Sequence, residues 1–241
     1  MQTSHSIPQG IWLPLITPFK DGAFDEVSAR RLARHYVGAA VDGYLIVCPY
    51  YTRPSQLGLY RHFTALAEST ARPLMIYHIP YRTGINLGNE QMLRLAELPN
   101  IVGVKDCSAD PAQSFDLLRD RPDGFSVLTG EDALFHNALT QGADGGILAA
   151  AHVETQAFVA IRNQMLRGDH AGALAAWRAL VDLPRLLFAE PSPAPIKHWL
   201  WRTGLIDSPE VRLPMTNVSD TLAARIDAEI ARRRGDVRRT G

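Results

Sequence analysis

The chain has 241 residues, 46% hydrophobic and 21% charged, which is the balance of a globular protein with room for one large domain or two small ones. Lys+Arg and Asp+Glu stand at 25 each, so no bulk field draws nucleic acid or an anionic membrane surface. No apolar run nears the ~20 residues of a membrane span. The opening MQTSHSIPQG lacks the basic start and apolar core of a secretory leader, so the expected location is cytoplasmic. The cysteines, Cys48 and Cys107, lie in strand-like runs and are expected as reduced thiols. The histidines are scattered, and no close His/Cys/Asp/Glu spacing suggests a metal site.

IWLPLITPF reads as a first strand ending at Thr17-Pro18-Phe19. Asp25 can cap a following helix with an apolar stripe of Leu32, Ala33, Tyr36, Val37 and Ala40. Asp42-Gly43 turns the chain into the strand YLIVCPYY, and a helix with Leu59, Phe63, Leu66 and Ala67 on one face follows. LMIYHIP is the next strand, YRTG a loop, and Gln91 to Leu98 a helix. IVGVKDC is the fourth strand, with a helix near Ser114 to Arg119 behind it. FSVLTGED and GGILAAAH are the fifth and sixth strands, separated by the helix ALFHNALTQG. This alternation is that of repeated βαβ units around a parallel sheet.

Beyond the sixth strand the pattern changes. TQAFVAIRNQML, HAGALAAWRALV and IKHWLWRTGL are amphipathic helical stretches, punctuated by Pro184 and by Glu190-Pro191-Ser192-Pro193. A last helix near Asp220 to Arg233 runs into ARRRGDVRR, read as a solvated helix end rather than a nucleic-acid site. The expected division is a strand-bearing portion over 1–153 and C-terminal helices over 154–241, packed as one domain.

The candidate chemistry centres on Lys105, which interrupts the apolar run of Ile101, Val102 and Val104. Lysine is rarely fully buried unless something pairs with it or uses it. Lowering its pKa from about 10.4 to ~7–8 takes roughly 4 kcal/mol and gives a neutral, nucleophilic amine suited to Schiff-base chemistry. The alternative is a strand-end lysine whose stem packs while its head reaches water. Active groups in such sheets sit at the C-terminal strand ends, where Thr17, Tyr50, Tyr51, Tyr77, Arg82, Glu131 and Asp132 also fall. Tyr77 could shuttle protons for a nearby amine, or be a strand tyrosine with a satisfied hydroxyl. Arg82 could clamp a carboxylate through paired hydrogen bonds, or sit on a surface loop. Tyr50-Tyr51 could line a pocket, form a subunit contact or pack in the core. Glu131-Asp132 reads as a helix start or as a carboxylate pair.

Taken together, TPF at Thr17 to Phe19, PYYTRPSQ from Pro49, YHIPYRTG from Tyr77, GVKDCS from Gly103, LTGED from Leu128 and LPM from Leu213 resemble the pyruvate-dependent class I aldolase family of dihydrodipicolinate synthase and N-acetylneuraminate lyase. The resemblance implies a TIM (β/α)8-type barrel with C-terminal helices, here shortened to about six βα units, in a homo-oligomer (tetramer or dimer). It implies Lys105 as the Schiff-base lysine and Tyr77 as the proton-relay tyrosine. Tyr51 matches a tyrosine lent across a dimer interface, and Ile147 a backbone contact to pyruvate. Arg82 matches the arginine serving the second substrate's carboxylate, and Thr17 falls among the substrate-binding positions. The implied reaction condenses pyruvate with aspartate semialdehyde to 4-hydroxy-tetrahydrodipicolinate, without metal or organic cofactor because the protonated imine is the electron sink.

Two alternatives accompany it: aldol or dehydratase chemistry on 2-keto-3-deoxy sugar acids, and a catalytically impaired remnant or partner subunit. The second arises because the family's G-T-T-G-E loop, which holds the pyruvate carboxylate, has no counterpart here. The second and third βα units are missing, with the junction near Gly38 to Cys48. His78 stands where the family usually has asparagine, and Ala109 where glycine is common.

Overall fold

The structure, a computed structural model, describes residues 8–12, 18–25, 27–28, 31 and 43–240. Its residues group into two units: Met1–Trp12, Ala40–Leu148 and Val159–Ala173 form one, and Leu13–Ala39, Ala149–Phe158 and Leu174–Gly241 the other.

The first unit is built on a six-stranded sheet. Its strands are β1 (Gly10–Trp12), β4 (Tyr44–Val47), β5 (Leu74–His78), β6 (Ile101–Asp106), β7 (Ser126–Thr129) and β8 (Gly145–Ile147). The spatial order is β1-β8-β7-β6-β5-β4, and every pairing is parallel. Their Val/Ile/Leu-rich runs suit strands covered on both faces. One face packs on helices α1 (Gln56–Glu68), α3 (Asn89–Ala96) and α4 (Pro111–Asp120) through a core that includes Phe63, Ile76, Leu95, Val104 and Leu117. The other face carries the cluster Met75, Leu128 and Ile147. Gly103 is required on that face, because a Cβ there would lie 2.5 Å from the Ser126 carbonyl oxygen.

Local signals start the helices as their residues dictate. Ser55 accepts from the Gly58 amide at the head of α1, and Asp110 accepts from the amides of Ala112 and Gln113 at the head of α4, where Pro111 takes the first helical position. YRTG departs from expectation: it is not an open loop but most of a one-turn helix, α2 (Pro80–Thr83), ended by Gly84 at φ 75. A proline at the first position and a left-handed glycine at the end make a single turn sufficient. After β7 come a short 3-10 turn (Asp132–Leu134) and α5 (Phe135–Thr140).

The six-strand count and the α/β class hold. Among the described residues β1 and β4 do not pair, so they are the two ends of the sheet. At the β4 end Leu45 is 44% exposed. In a closed eight-stranded barrel such a position has a neighbour on each side.

The second unit opens with a feature that corrects the first-strand expectation. Phe19 does not extend β1. It belongs to β2 (Phe19–Lys20), which pairs antiparallel with β3 (Ala23–Phe24) across Asp21-Gly22, both at positive φ. Asp-Gly suits such a tight hairpin turn. Asp25 then accepts a hydrogen bond from the Ser28 amide (2.9 Å), as a helix cap does. The expected stripe from Leu32 to Ala40 lies outside the described residues, as does Thr17. Of the later helices, α8 (Asp182–Leu187), α9 (Ala194–Arg202) and α10 (Asp220–Thr240) belong to this unit, while α6 (Ala151–Leu166, interrupted at Glu154) and α7 (His170–Leu180) are each divided between the two. Pro184, read as punctuation, sits instead within the first turn of α8, where a missing N–H costs little. Buried Lys197 of α9 donates to the Glu210 carbonyl (2.7 Å) and lies 4.6 Å from the Phe19 ring centroid. No helix among the described residues is long and apolar enough to cross a membrane.

Candidate active site

Alternation along the strands puts Lys105 on the same face as Met75, Leu128 and Ile147. The register sets Tyr77 beside Lys105 on one side and Leu128 on the other. Lys105 is only 7% exposed, and its Nζ lies over the Tyr77 ring, 4.2 Å from the centroid. Burial lowers its pKa below the ordinary 10.5, outweighing the opposing pull of Cys107, Asp132 and Glu131, while Arg82 lowers it further. Of the two readings of this lysine, the coordinates show the buried one. Lys197, the other buried lysine, differs in kind because its amine is held by a backbone carbonyl.

Gly130 explains how the lysine fits. A Cβ there would fall 2.3 Å from Cys107 Sγ and 2.4 Å from Lys105 Cε, so the glycine backbone forms the wall against which the stem and the thiol lie. The Gly130 amide also donates to the Asp106 carbonyl (2.8 Å), which holds that wall in register.

The Tyr77 hydroxyl is pushed well above its ordinary pKa, first by burial and then by Cys107 and Tyr81, with Arg82 opposing. It is therefore a protonated donor at neutral pH. At the rim, α2 presents Tyr81 and Arg82. The Tyr81 hydroxyl donates to Glu131 Oε1 (3.0 Å), and burial with the Glu131 charge pushes its pKa to about 12. The Arg82 guanidinium is 6.0 Å from the Tyr81 ring centroid, and its charge acts on both Tyr77 and Lys105. Glu131 and Asp132 follow the helix-start reading. They precede and open the 3-10 turn, and both attract the charged form of Lys105.

Directly behind the lysine is a network that the sequence did not reveal. Asp106 is buried and faces His78 across the strand pair, with Nδ1 to Oδ1 at 3.6 Å. The Ser108 amide (2.9 Å) and the Ser114 hydroxyl donate to its carboxylate. Burial alone would raise the Asp106 pKa, but the neighbouring His78 and the hydrogen bonds from Ser114 and Ser108 hold it below the ordinary 3.8. His78 Nε2 is in turn 2.7 Å from Asn86 Oδ1. The visible signal was a histidine in an otherwise apolar strand, one residue after Tyr77.

The remaining candidates scatter. Ile147 ends β8, buried beside Met75 and Leu128. Tyr51 stands apart, 91% exposed at φ 70, and Tyr50 is exposed too, so neither packs in the core. Arg53, two residues on, lies against Gly84, with Nε 3.0 Å from where a Cβ would be, and ties this loop to the end of α2. Thr17 is outside the described residues. Among the described residues no group of three His, Cys, Asp or Glu side chains is arranged to hold a metal ion.

A sequence model described as the Dihydrodipicolinate synthetase family matches residues 22–232. The 4-hydroxy-tetrahydrodipicolinate synthase 2 of Clostridium acetobutylicum is 38% identical over 280 aligned positions, covering 91% of this chain and 98% of that protein. Those 280 positions exceed the 241 residues present here, so the relative has stretches that this chain lacks. The 4-hydroxy-tetrahydrodipicolinate synthase of Syntrophus aciditrophicus is 40% identical over 200 residues, 83% of this chain and 68% of that one. The dihydrodipicolinate synthase of Aquifex aeolicus superposes with a TM-score of 0.88 at 26% identity, covering 94% of this chain and 98% of that one. The 4-hydroxy-tetrahydrodipicolinate synthase of Methylacidiphilum fumariolicum matches with the same TM-score of 0.88 and 26% identity over 96% of this chain and 98% of its own. With the sheet order, the site geometry and these matches together, the chain belongs to the dihydrodipicolinate synthetase family.

Proposed function

We propose that the chain is a lyase of the 4-hydroxy-tetrahydrodipicolinate synthase type, condensing pyruvate with aspartate semialdehyde through an imine on Lys105. The single observation that carries this reading is a buried lysine amine with a lowered pKa, facing a protonated tyrosine. The unprotonated Nζ attacks C2 of pyruvate, the carbonyl oxygen takes a proton, and loss of water leaves the protonated imine. Tyr77 is the group positioned to give and take these protons. Loss of a C3 proton then gives an enamine, whose C3 bonds to the aldehyde carbon. Arg82, exposed on α2, would meet the aldehyde's carboxylate, and the backbone at Ile147 would meet pyruvate.

Tyr51 is proposed to act from a partner subunit. Its exposure and left-handed backbone suit a residue directed away from its own chain. Arginine at position 82 favours a carboxylate-bearing aldehyde over sugar acids. A second reading, a family chain with reduced catalysis, is favoured by the unpaired ends of the sheet at β1 and β4 among the described residues.

Borohydride reduction in the presence of pyruvate, followed by peptide mass mapping, separates the two. The enzyme reading expects a reduced pyruvyl adduct on Lys105. Folded protein with no adduct supports the impaired one.

A further inference from the structure

Arg82, which the reading above sets against the aldehyde's carboxylate, stands exposed on a helix of a single turn, α2. Pro80 and Gly84 define that turn but do not aim it. Short helices are marginal in water by themselves, so the direction of the guanidinium depends on what fastens α2. The inward side is fastened by Thr83, which is buried and whose hydroxyl lies 3.1 Å from each of the Ile79 and Ile85 carbonyl oxygens. The exit is fastened by Asn86, whose side-chain amide pairs reciprocally with that of Gln113 (3.0 and 3.1 Å) and whose backbone carbonyl accepts from Gln56 Nε2 (2.7 Å). The outward side carries Tyr81 and Arg82, with the guanidinium carbon 6.0 Å from the Tyr81 ring centroid. There the Tyr81 hydroxyl reaches past the end of β7 and donates to Glu131 Oε1 at 3.0 Å. The Glu131 backbone is itself held, since its amide donates to Thr129 Oγ1 (3.2 Å) and its carbonyl accepts from the Leu134 amide (2.9 Å).

We propose that Tyr81 is a positioning residue for the second substrate: its hydrogen bond to Glu131 sets the direction in which Arg82 reaches the aldehyde's carboxylate. This inference rests on the role given to Arg82 above. The two side chains are neighbours in the chain, so a roll of α2 that breaks the Tyr81 bond turns Arg82 with it. An arginine on a loose turn loses much rotamer freedom when it clamps a carboxylate, and that loss weakens binding. With Tyr81 tied to a fixed acceptor, less of that freedom is left to lose. Paired, charge-assisted hydrogen bonds are strict about geometry. The brace therefore matters for the carboxylate-bearing aldehyde and not for pyruvate, which is held at Lys105 on β6. The phenol stays a donor at neutral pH, because burial and the Glu131 charge push its pKa to about 12.

The test is a double-mutant cycle on the full chain, with Tyr81→Phe, Arg82→Ala and the two combined, assayed with pyruvate and aspartate semialdehyde. Tyr81→Phe deletes one oxygen from a residue that is 60% exposed, and circular dichroism confirms that the fold is kept. It should raise KM for the aldehyde about tenfold, the scale of a lost hydrogen bond to a charged partner, with kcat near the wild-type value. Arg82→Ala should raise that KM about 10²-fold, since it removes the charged donors themselves. In the Arg82→Ala background the further change Tyr81→Phe should have no effect, because no guanidinium is left to aim. A merely structural role for Tyr81 would not vanish in that background. Borohydride trapping of the pyruvate imine should reach the wild-type extent in Tyr81→Phe.

An unchanged aldehyde KM in Tyr81→Phe overturns the brace. So does a tenfold effect that persists in the Arg82→Ala background, which would make Tyr81 act independently of the arginine. Loss of imine trapping in Tyr81→Phe overturns it as well, by placing the residue with Lys105 instead. Two other outcomes strike the reading beneath it. No trapped imine in the wild type removes the imine chemistry, and a wild-type KM in Arg82→Ala removes the arginine's role. In either case the brace has nothing to aim and falls with that reading.

Discussion

Strand β6 has a hydrogen-bonded neighbour on each side, whereas β4 has one among the described residues, and their burial differs accordingly. Five of the six residues of β6 are buried and the other partly so, while Tyr44 and Leu45 of β4 are exposed. The chemistry lies with the first kind of strand. Tyr77 and Lys105 face each other within a pair that has Leu128 beyond it, and Cys107 and Gly130 extend the same ladders. Among the described residues the strands with a neighbour on one side only are β1 and β4, away from this pair in the order of the sheet. The middle of the described sheet is desolvated whatever stands beyond its two ends. The burial that lowers the Lys105 pKa depends on β5, β7 and the Gly130 wall, all of which are present.

The largest way to break the comparison is at the centre. Lys105→Ala removes the amine placed over Tyr77 and should reduce imine trapping with pyruvate to background, read by mass spectrometry. Gly130→Ala comes next. Its Cβ would overlap Cys107 Sγ and Lys105 Cε, so both must move, and a displacement near 1 Å costs about 10²-fold in rate. The imine should form that much more slowly in protein whose circular dichroism is unchanged.

Asp106→Asn probes the support behind the lysine. It leaves His78 and Ser114 facing a weaker partner and should cost about 1–3 kcal/mol in urea unfolding at pH 7. Because the Asp106 pKa is lowered in the folded state, its contribution is present above the ordinary carboxylate range and is lost as pH falls through the folded value. The difference between the two proteins should therefore shrink below about pH 4. The smallest effect belongs at the sheet's end. Leu45→Lys adds a charge to an exposed edge strand, should change stability by no more than about 0.5 kcal/mol, and should reduce self-association measured by sedimentation.

Much of the middle of the sheet was legible because burial on both faces writes itself as uninterrupted apolar runs, and one lysine inside such a run stands out. The pairing of Tyr77 with Lys105 followed from their similar depth in two strands. What escaped was set by distance in the chain or by brevity. Asp21-Gly22 is a hairpin signal, but its strands are two residues each, too short for alternation to register. Pro80–Thr83 makes one turn, too little for helical periodicity. Gly130 drew no reading of its own, since nothing in LTGED tells that Cys107 and Lys105 lie against it. The Asp106–His78 contact depends on strand register, which no local pattern encodes. Ala109, where a glycine was expected, does carry a backbone reason: its φ is 56, a left-handed conformation that a Cβ disfavours by about 1–2 kcal/mol.

The central claim is that burial leaves the amine at position 105 uncharged far more often than a free lysine. The direct measurement is the pH dependence of the initial rate of pyruvate imine formation, trapped on Lys105 and quantified by mass spectrometry. The account predicts a rate that has levelled off well below pH 10.5, the value from which burial lowers this group. A rate that keeps climbing through pH 10.5, as for a solvated lysine, would contradict it.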